Sequence, residues 1–143
     1  GEKTMADMKE MDLYGFLHPE ITPDKEIIVS SRFKTKGGDP LPFVIRPLTQ
    51  DICDAIQRGC IKTDKKGNQT FDRVKYVAET TTAAVVFPDL KNAELQKTYG
   101  VIGEVSLLKK MLYTNEYDRL IDEVQTLSGL ENFDDLKDEA KNA

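Results

Sequence analysis

The alternation of apolar and polar residues predicts a β-hairpin in the first third of the chain. Residues 26–33 are rich in β-branched side chains, residues 37–40 supply turn-forming Gly, Asp and Pro, and residues 41–46 return as a second strand. Pro42 cannot donate to a ladder, so it belongs at the start of its strand or on an edge. Since an isolated hairpin is marginal in water, we expect helices to cover one face.

Downstream of the hairpin, apolar residues recur at helical spacing. Thr49 can cap a first helix that ends near Gly59, and the polar residues 64–69 follow as a loop. Thr70 or Asp72 can open a second helix. Its predicted apolar stripe consists of Phe71, Val74, Val77, Ala78, Thr81, Ala84 and Val85.

Three consecutive threonines, at residues 80–82, interrupt the regularity of this second helix. Their β-branched side chains are restricted in χ1 in a helix. A strand that begins at these threonines and runs to Phe87 is the alternative, and we favour the helix.

Three further helices and an acidic end are predicted in the C-terminal part. Asn92 can cap a short helix that ends at Tyr99-Gly100, and Gly103 can open a helix over residues 105–112. Thr114 can cap a longer helix that ends at Gly129. Its stripe consists of Tyr117, Leu120, Ile121, Val124 and Leu127, and a last acidic helix beginning near Asn132 carries Phe133, Leu136 and Ala140.

Together these elements predict an α+β fold, with one β-hairpin packed on a mostly α-helical body. We expect residues 1–25 to form a flexible N-terminal arm, residues 26–129 a single domain, and residues 130–143 an acidic helix or tail. The predicted core consists of Ile28, Phe33, Phe43, Ile45, Ile56, Val77, Leu95, Leu108, Leu112, Leu120, Ile121 and Val124.

The length and net charge of the chain disfavour several classes of function. A chain of 143 residues can bury one real core. The net charge of −5 disfavours nucleic-acid binding, which usually requires a basic face, and the small lysine clusters are typical of solvated surfaces. No apolar run reaches the ~20 residues that span a bilayer. We therefore expect a protein of the cytoplasm without membrane contact.

The reactive side chains do not form a catalytic or metal-binding pattern. Cys53 and Cys60 would lie about 10 Å apart on one helix, too far for a disulfide, so we expect buried reduced thiols. His18 is the single histidine and lies in the proline-flanked arm. A nucleophile needs a base within reach, and zinc needs about four ligands. We expect no enzyme activity, no metal, no cofactor and no small-molecule substrate.

Gly100 and Gly103 form the most distinctive local pattern in the chain. Their spacing resembles the loop with which KH domains clamp nucleic acid, but the acidic balance argues against phosphate ligands. We interpret both glycines as structural: Gly100 ends one helix, and Gly103 lets the next one start close by.

Partner contacts are expected at unpaired strand edges and at the chain ends. The edge near Arg32 and Phe33, together with Arg46, is the first candidate surface, because unpaired edges are free to bind. Met8 and Met11 lie in the arm, where methionines could form an adaptable contact strip. The alternative for the arm is a poorly ordered terminus.

The order of several sequence blocks resembles the XkdN-like family of phage tail assembly chaperones. The blocks cover roughly residues 16–129. One departure is Phe43, where members of the family often have tryptophan, and the methionines before Phe16 have no counterpart. The matching blocks are residues 26–33, 42–49, 85–103 and 107–112, followed by Glu116-Tyr117 and the helix through Val124.

This resemblance implies a non-catalytic role during the assembly of long-tailed phages or prophages, in the cytoplasm of the bacterial host. Such chaperones are thought to hold the tape measure protein soluble and to help recruit tail tube subunits, and they are absent from the finished virion. A long, apolar, helical partner requires a protein that offers grooves for helices.

Two rival hypotheses belong to other classes. A nucleic-acid-binding accessory protein would use Gly100, Gly103 and the lysines, and it would bind oligonucleotides with strong salt dependence. A small cysteine hydrolase would lose its activity when Cys53 or Cys60 is replaced.

Overall fold

The computed structural model describes residues 4, 5 and 13–130. Residues 13–17 are helical and exposed. The strands are β1 Lys25–Ile27, β2 Phe43–Ile45, β3 Ile61–Thr63, β4 Gln69–Phe71 and β5 Val85–Phe87. The helices that follow residue 25 are α1 Gln50–Arg58, α2 Arg73–Ala84, α3 Ala93–Thr98, α4 Glu104–Met111 and α5 Thr114–Ser128.

The predicted α+β class is confirmed, and the predicted hairpin exists with shorter strands. β1 pairs antiparallel with β2, with Lys25 opposite Ile45 and Ile27 opposite Phe43. The chain leaves this ladder after Ile27, but the alternation of burial continues. Ile27 and Val29 therefore point inward, and the prediction of Ile28 as a core residue is wrong because its side chain is 46% exposed.

A third strand, β5, was not predicted as part of this sheet. It pairs antiparallel with β2, which gives the strand order β1-β2-β5. Helix α2 continues through the three threonines to Ala84, and the strand begins only at Val85. Inside the helix, the Thr80 and Thr82 hydroxyls donate to the carbonyls of Tyr76 and Ala78 at 2.7 Å, which satisfies both buried groups.

The predicted polar loop is the turn of a second hairpin, β3–β4, whose two strands were not predicted. The Asp64 carboxylate accepts the Lys66 and Asn68 amides at 2.8 and 2.9 Å and so closes the turn. Phe71 belongs to β4 rather than to the helix. Val74, which was predicted on the apolar stripe, is 52% exposed because the stripe of α2 begins only at Val77.

Local capping explains where the helices begin. The predicted caps Asp72 and Asn92 are confirmed, because their side chains accept the Lys75 and Leu95 amides. The predicted cap Thr114 is wrong by one residue. Tyr113 occupies the cap position, and its amide donates to Glu116 at 2.8 Å.

The longest helix, α5, ends as predicted at Gly129, which has a left-handed backbone. The amide of Leu130 then donates to the Gln125 carbonyl, so the chain turns back.

Most of the predicted core is buried. Ile45, Leu108, Leu120 and Val124 are fully enclosed, whereas Phe33, Ile56 and Leu95 are half-buried. One main cluster joins the three-stranded sheet to α4 and α5. Buried apolar residues absent from the predicted core list are Ile27, Val29, Leu48, Cys53, Cys60, Ala78, Ala84, Leu90, Leu107 and Met111.

Candidate partner-binding groove

A small apolar cavity opens between the end of the three-stranded sheet and the α3–α4 corner. Its volume is about 150 Å³. The side chains that surround it come from the β1–β2 connection, β2, β5, α3 and α4. They are Phe33, Leu41, Pro42, Phe43, Phe87, Pro88, Leu95, Tyr99 and Met111.

Aromatic side chains form the walls of this cavity. The Phe33 and Phe43 rings lie 5.8 Å apart between centroids, and Phe43 is almost fully buried. Phe87 lies opposite Val44 in the ladder between β2 and β5, and its side chain is 44% exposed. An aromatic side chain that lines a cavity yet remains half in water is a typical anchor for a partner.

A more open depression continues from the cavity along β5 and α3. It has a volume of about 460 Å³ and shares Phe87, Pro88 and Leu95 with the cavity. Its other lining residues are Val86, Asp89, Asn92, Glu94 and Thr98. We call the cavity and this depression together the β5–α3 groove. The residues that line it include the acidic Asp89 and Glu94 beside the apolar Val86, Phe87 and Leu95.

An ion pair fixes one wall of the cavity. The Arg32 guanidinium donates to both carboxylate oxygens of Glu116, at 3.2 Å from Nε and by a shorter contact from Nη2. It also donates to the Met111 carbonyl at 2.9 Å and lies over the Phe33 and Tyr113 rings, at 5.0 and 4.3 Å. Arg32 thus holds two cavity residues, Phe33 and Met111, in place.

The electrostatics of Glu116 agree with this bonding. The hydrogen bond from Arg32 outweighs desolvation and lowers the pKa of Glu116 to about 2. The same contact raises the pKa of Arg32. Both groups are therefore charged at neutral pH.

The glycine pair shapes the corner beside the cavity. Gly100 has φ 68° and follows Tyr99, a cavity residue, while Gly103 has φ 99° and ψ 153° at the start of α4. The Gln96 side chain accepts the Gly103 amide at 3.1 Å and donates to the Leu90 carbonyl at 2.9 Å. The corner thus joins two short helices through five residues, 99–103.

Comparison with known proteins identifies the family. The sequence profile of the phage XkdN-like tail assembly chaperone proteins matches residues 13–141. The chain belongs to this family.

Two relatives come from Bacillus subtilis strain 168. The phage-like element PBSX protein XkdN is 27% identical over 144 residues, which covers 89% of this chain and 92% of XkdN. The uncharacterized protein YqbN is 25% identical over 123 residues, covering 82% of this chain and 83% of YqbN. The crystal structure of YqbN superposes with a TM-score of 0.68 at 23% identity, over 80% of this chain and 93% of that one, which shows a shared fold.

The residues predicted as partner contacts of this chaperone-family chain lie in different parts of the structure. Phe33 lines the cavity, and Arg32 lies behind it with its guanidinium engaged. Arg46 is at the other end of β2, where its backbone and side-chain nitrogens donate to the Ala84 and Ala83 carbonyls. Met8 and Met11 lie outside the described residues, as does the predicted acidic helix.

Sequence reasoning missed Phe87, Pro88, Leu95 and Tyr99 as parts of one surface. All four lie within the block 85–103 that resembles the family. The available signal was Phe87-Pro88, an aromatic residue before a helix-breaking proline, which argues for a strand end.

The candidate catalytic side chains have other environments. Cys53 and Cys60 are buried and unpaired, and burial raises the pKa of both thiols, the opposite of what a reactive cysteine requires. His18 is exposed, stacks on Tyr14 and bonds to the Tyr14 carbonyl.

Within the described ranges, residues 4, 5 and 13–130, no three His, Cys, Asp or Glu side chains are grouped to hold a metal ion. No helix in the same residues has the length and apolar character to cross a bilayer.

Proposed function

We propose that this protein is a tail assembly chaperone that binds the tape measure protein and helps recruit tail tube subunits around it. It catalyses no reaction, acts in the cytoplasm of the bacterial host and leaves before the virion is complete. The observation that carries the proposal is the β5–α3 groove, an apolar surface with exposed aromatic anchors in a chain of the XkdN-like family.

The shape of the groove suits an amphipathic helix. A cavity of about 150 Å³ can admit an apolar side chain, and the open depression beside it can take the next turn of a helix. Binding energy concentrates in such central apolar anchors. Asp89 and Glu94, which line the depression, favour a helix that carries Lys or Arg beside its apolar stripe.

The proposed contact residues follow from this arrangement. Phe33, Phe87 and Leu95 receive the apolar side chain of the partner, and Arg32 acts by holding Phe33 in place. Arg46, Met8 and Met11 stay predicted contacts for a second region of the partner.

Co-expression tests the proposal. The tape measure protein of the same phage is produced with and without this chain, and its soluble fraction is measured by sedimentation and affinity capture. We expect the chain to raise the soluble fraction and to be captured with the tape measure protein. Equal insolubility in both cultures, together with normal tails after deletion of this chain, would show that the proposal is wrong.

A further inference from the structure

The described part of the N-terminal arm presents large apolar side chains to water. Every residue from 13 to 26 is exposed. A large apolar side chain that stands alone on a surface is ordinary, but several close together mark an interaction site. Five such side chains lie within nine residues of the arm, with exposed fractions of 58–87%. They are Leu13, Tyr14, Phe16, Leu17 and Ile21.

The helical turn at residues 13–17 places three of these side chains together. Leu13, Phe16 and Leu17 are spaced by three and four residues, so they share one face of the turn. The rings of Tyr14 and His18 stack at 4.3 Å between centroids, and the His18 amide donates to the Tyr14 carbonyl at 2.9 Å. These contacts are local to the turn, and the apolar face, which we call the arm stripe, stays exposed.

The arm leaves the body at the end of the sheet away from the cavity. It enters β1 at Lys25, which pairs with Ile45, whereas the cavity lies at the other end of β2, at Phe43. Pro19 and Pro23 fix their own φ and disfavour helical backbone in the residues before them, so the connection is extended. The lining of the groove includes none of the described arm residues. The arm stripe therefore does not cover the groove of its own chain.

The β5–α3 groove has a shape and chemistry that match the arm stripe. The cavity of about 150 Å³ is lined by Phe33, Phe43 and Phe87, and the open depression beside it can hold the rest of a helical turn. Aromatic rings favour offset or edge-to-face contact with another ring. Phe16, at 81% the most exposed side chain of the arm stripe, supplies such a ring. Each chain therefore carries one apolar ligand and one apolar acceptor.

The area of the exposed segment is that of a stable interface. An aromatic side chain buries about 150–250 Å² and an aliphatic one somewhat less, so the five exposed side chains offer on the order of 700 Å². A standard interface buries about 800 Å² on each partner. Two chains that exchange their arms bury this contact twice, because each arm enters the groove of the other chain. The area therefore favours a second copy as the occupant of the groove.

We propose that two copies of this chain exchange their N-terminal arms, with the arm stripe of each docked in the β5–α3 groove of the other and Phe16 in the cavity. The exchange removes both apolar surfaces from water while no other protein is bound. A partner helix then has to displace the arm before it enters the groove, so the arm regulates access to this site. The inference rests on the groove of the proposed function, and it does not depend on which protein displaces the arm.

The mass of the chain in solution tests the proposal first. Sedimentation equilibrium should give the mass of two chains for the unaltered protein and the mass of one chain for Phe16→Asp and Phe87→Asp. Ile28→Asp and Ile61→Asp, which alter exposed side chains outside both surfaces, are matched controls and should keep the mass of two chains. Unfolding measurements establish that every variant is folded. The mass of one chain for the unaltered protein would overturn the proposal.

Mixing the two defective variants identifies the surfaces that meet. Phe16→Asp keeps an intact groove and Phe87→Asp keeps an intact arm, so together they should form a complex of one chain each. A contact between two arms would leave Phe87→Asp with the mass of two chains. A contact between two grooves would do the same for Phe16→Asp. Either result, or the absence of a complex in the mixture, would show that the exchange is wrong.

Paramagnetic relaxation distinguishes a second copy from the groove of the same chain. A nitroxide on Glu20→Cys in unlabelled chain is mixed with isotope-labelled chain that carries none. We expect the labelled chain to lose the amide signals of Phe87 and Leu95 and to keep that of Asn68, in the turn of the β3–β4 hairpin. Loss of these signals only when nitroxide and isotope are in one chain would mean docking in cis and would overturn the proposal.

A control covers the native cysteines in this labelling. The unaltered chain is treated with the same nitroxide reagent, because Cys53 and Cys60 are buried thiols without a disulfide. It should keep the amide signals of Phe87 and Leu95. Their loss in this control would assign the effect to the native thiols and remove its support for the exchange.

Capture of the tape measure protein separates this inference from the proposed function. Phe16→Asp has an intact, uncovered groove, so it should capture the tape measure protein at least as well as the unaltered chain. Failure of capture by every variant, with masses as predicted, would refute the proposed function and leave the exchange of arms standing. Capture by an unaltered chain that has the mass of one chain would refute the exchange alone.

Discussion

The three-stranded sheet and the β3–β4 hairpin differ in how their side chains contact the rest of the protein. In the three-stranded sheet, Ile27, Phe43 and Ile45 are buried in the main cluster. In the β3–β4 hairpin, every strand residue except Phe71 is exposed. Two antiparallel units of similar strand length therefore play different roles. The first is part of the core and shapes the groove, and the second is a surface projection.

Their side-chain anchors differ in the same way. The connection after β1 is tied to α5 by Arg32, whose partner Glu116 is only 7% exposed. The hairpin is tied to its own helix by Lys62 and Asp72 at 3.1 Å, with the lysine side chain 70% exposed. Exposed pairs contribute little to stability, whereas a pair whose carboxylate is buried and hydrogen-bonded costs more to break.

The largest expected effect comes from truncating matched isoleucines in the two units. Ile45→Ala removes a fully buried side chain, and the free energy of unfolding should fall by about 2–5 kcal/mol. Ile61→Ala, on the exposed β3, should cost less than about 1 kcal/mol. Urea unfolding of both variants measures the difference. Similar losses would mean that the hairpin is as much a part of the core as the sheet.

Breaking the Arg32–Glu116 and Lys62–Asp72 ion pairs should give a smaller difference in the free energy of unfolding. Glu116→Gln leaves the Arg32 charge without its partner, and we expect the free energy of unfolding to fall further than in the matched variant Lys62→Gln. Lys62→Gln, its matched control, should stay within about 1 kcal/mol of the unaltered chain. Chemical unfolding at neutral pH measures both, and equal effects would contradict the assigned difference between the anchors.

The same pair predicts a pH dependence. The pKa of Glu116 is about 2 in the folded chain and 4.5 in its ordinary state, so the unfolded chain binds more protons between these values. The contribution of ionised Glu116 to the free energy of unfolding is thus fully present above about pH 4.5 and is lost as the pH falls toward 2. The free energy of unfolding, measured between pH 2 and 6, should change less steeply with pH in Glu116→Gln than in the unaltered chain.

A third contrast concerns backbone geometry in the α3–α4 corner and in the β1–β2 connection. Gly103 has φ 99° and ψ 153°, a region open almost only to glycine, so Gly103→Ala should cost about 1–3 kcal/mol. Gly37, in the β1–β2 connection, does not have a positive φ, and Gly37→Ala should be nearly neutral. Thermal unfolding compares the two, and a neutral Gly103→Ala would show that the corner tolerates other geometries.

Much of the fold could be predicted because one period dominates each long element. The stripe at Leu120, Ile121 and Val124 predicted α5, and the β-branched run near Ile27 predicted β1. The β3–β4 hairpin was missed because its strands are exposed on both faces and lack alternation. Strand β5 corresponds only to the end of the alternative strand from the threonines to Phe87. Because it follows α2 without a break, its three residues carry too little periodicity to separate it from the helix.

The groove could be predicted only in part. The sequence predicts Phe33 as an edge residue, and its side chain lines the cavity. Its neighbours Phe87, Leu95 and Tyr99 come from distant parts of the chain, and only the pairing of β5 with β2 brings them together. Arg32 looked like a free edge charge, because nothing in the local sequence indicates Glu116, which lies 84 residues away.

The most direct test of the account is capture of the tape measure protein by two matched variants. Phe87→Asp places a charge at the mouth of the groove, and Ile28→Asp places one on a side chain of similar exposure outside it, at 44% and 46%. Unfolding measurements first establish that both variants are folded. We predict that Phe87→Asp loses capture and that Ile28→Asp retains it. Retention by Phe87→Asp, or equal loss in both variants, would contradict the β5–α3 groove as the partner-binding site.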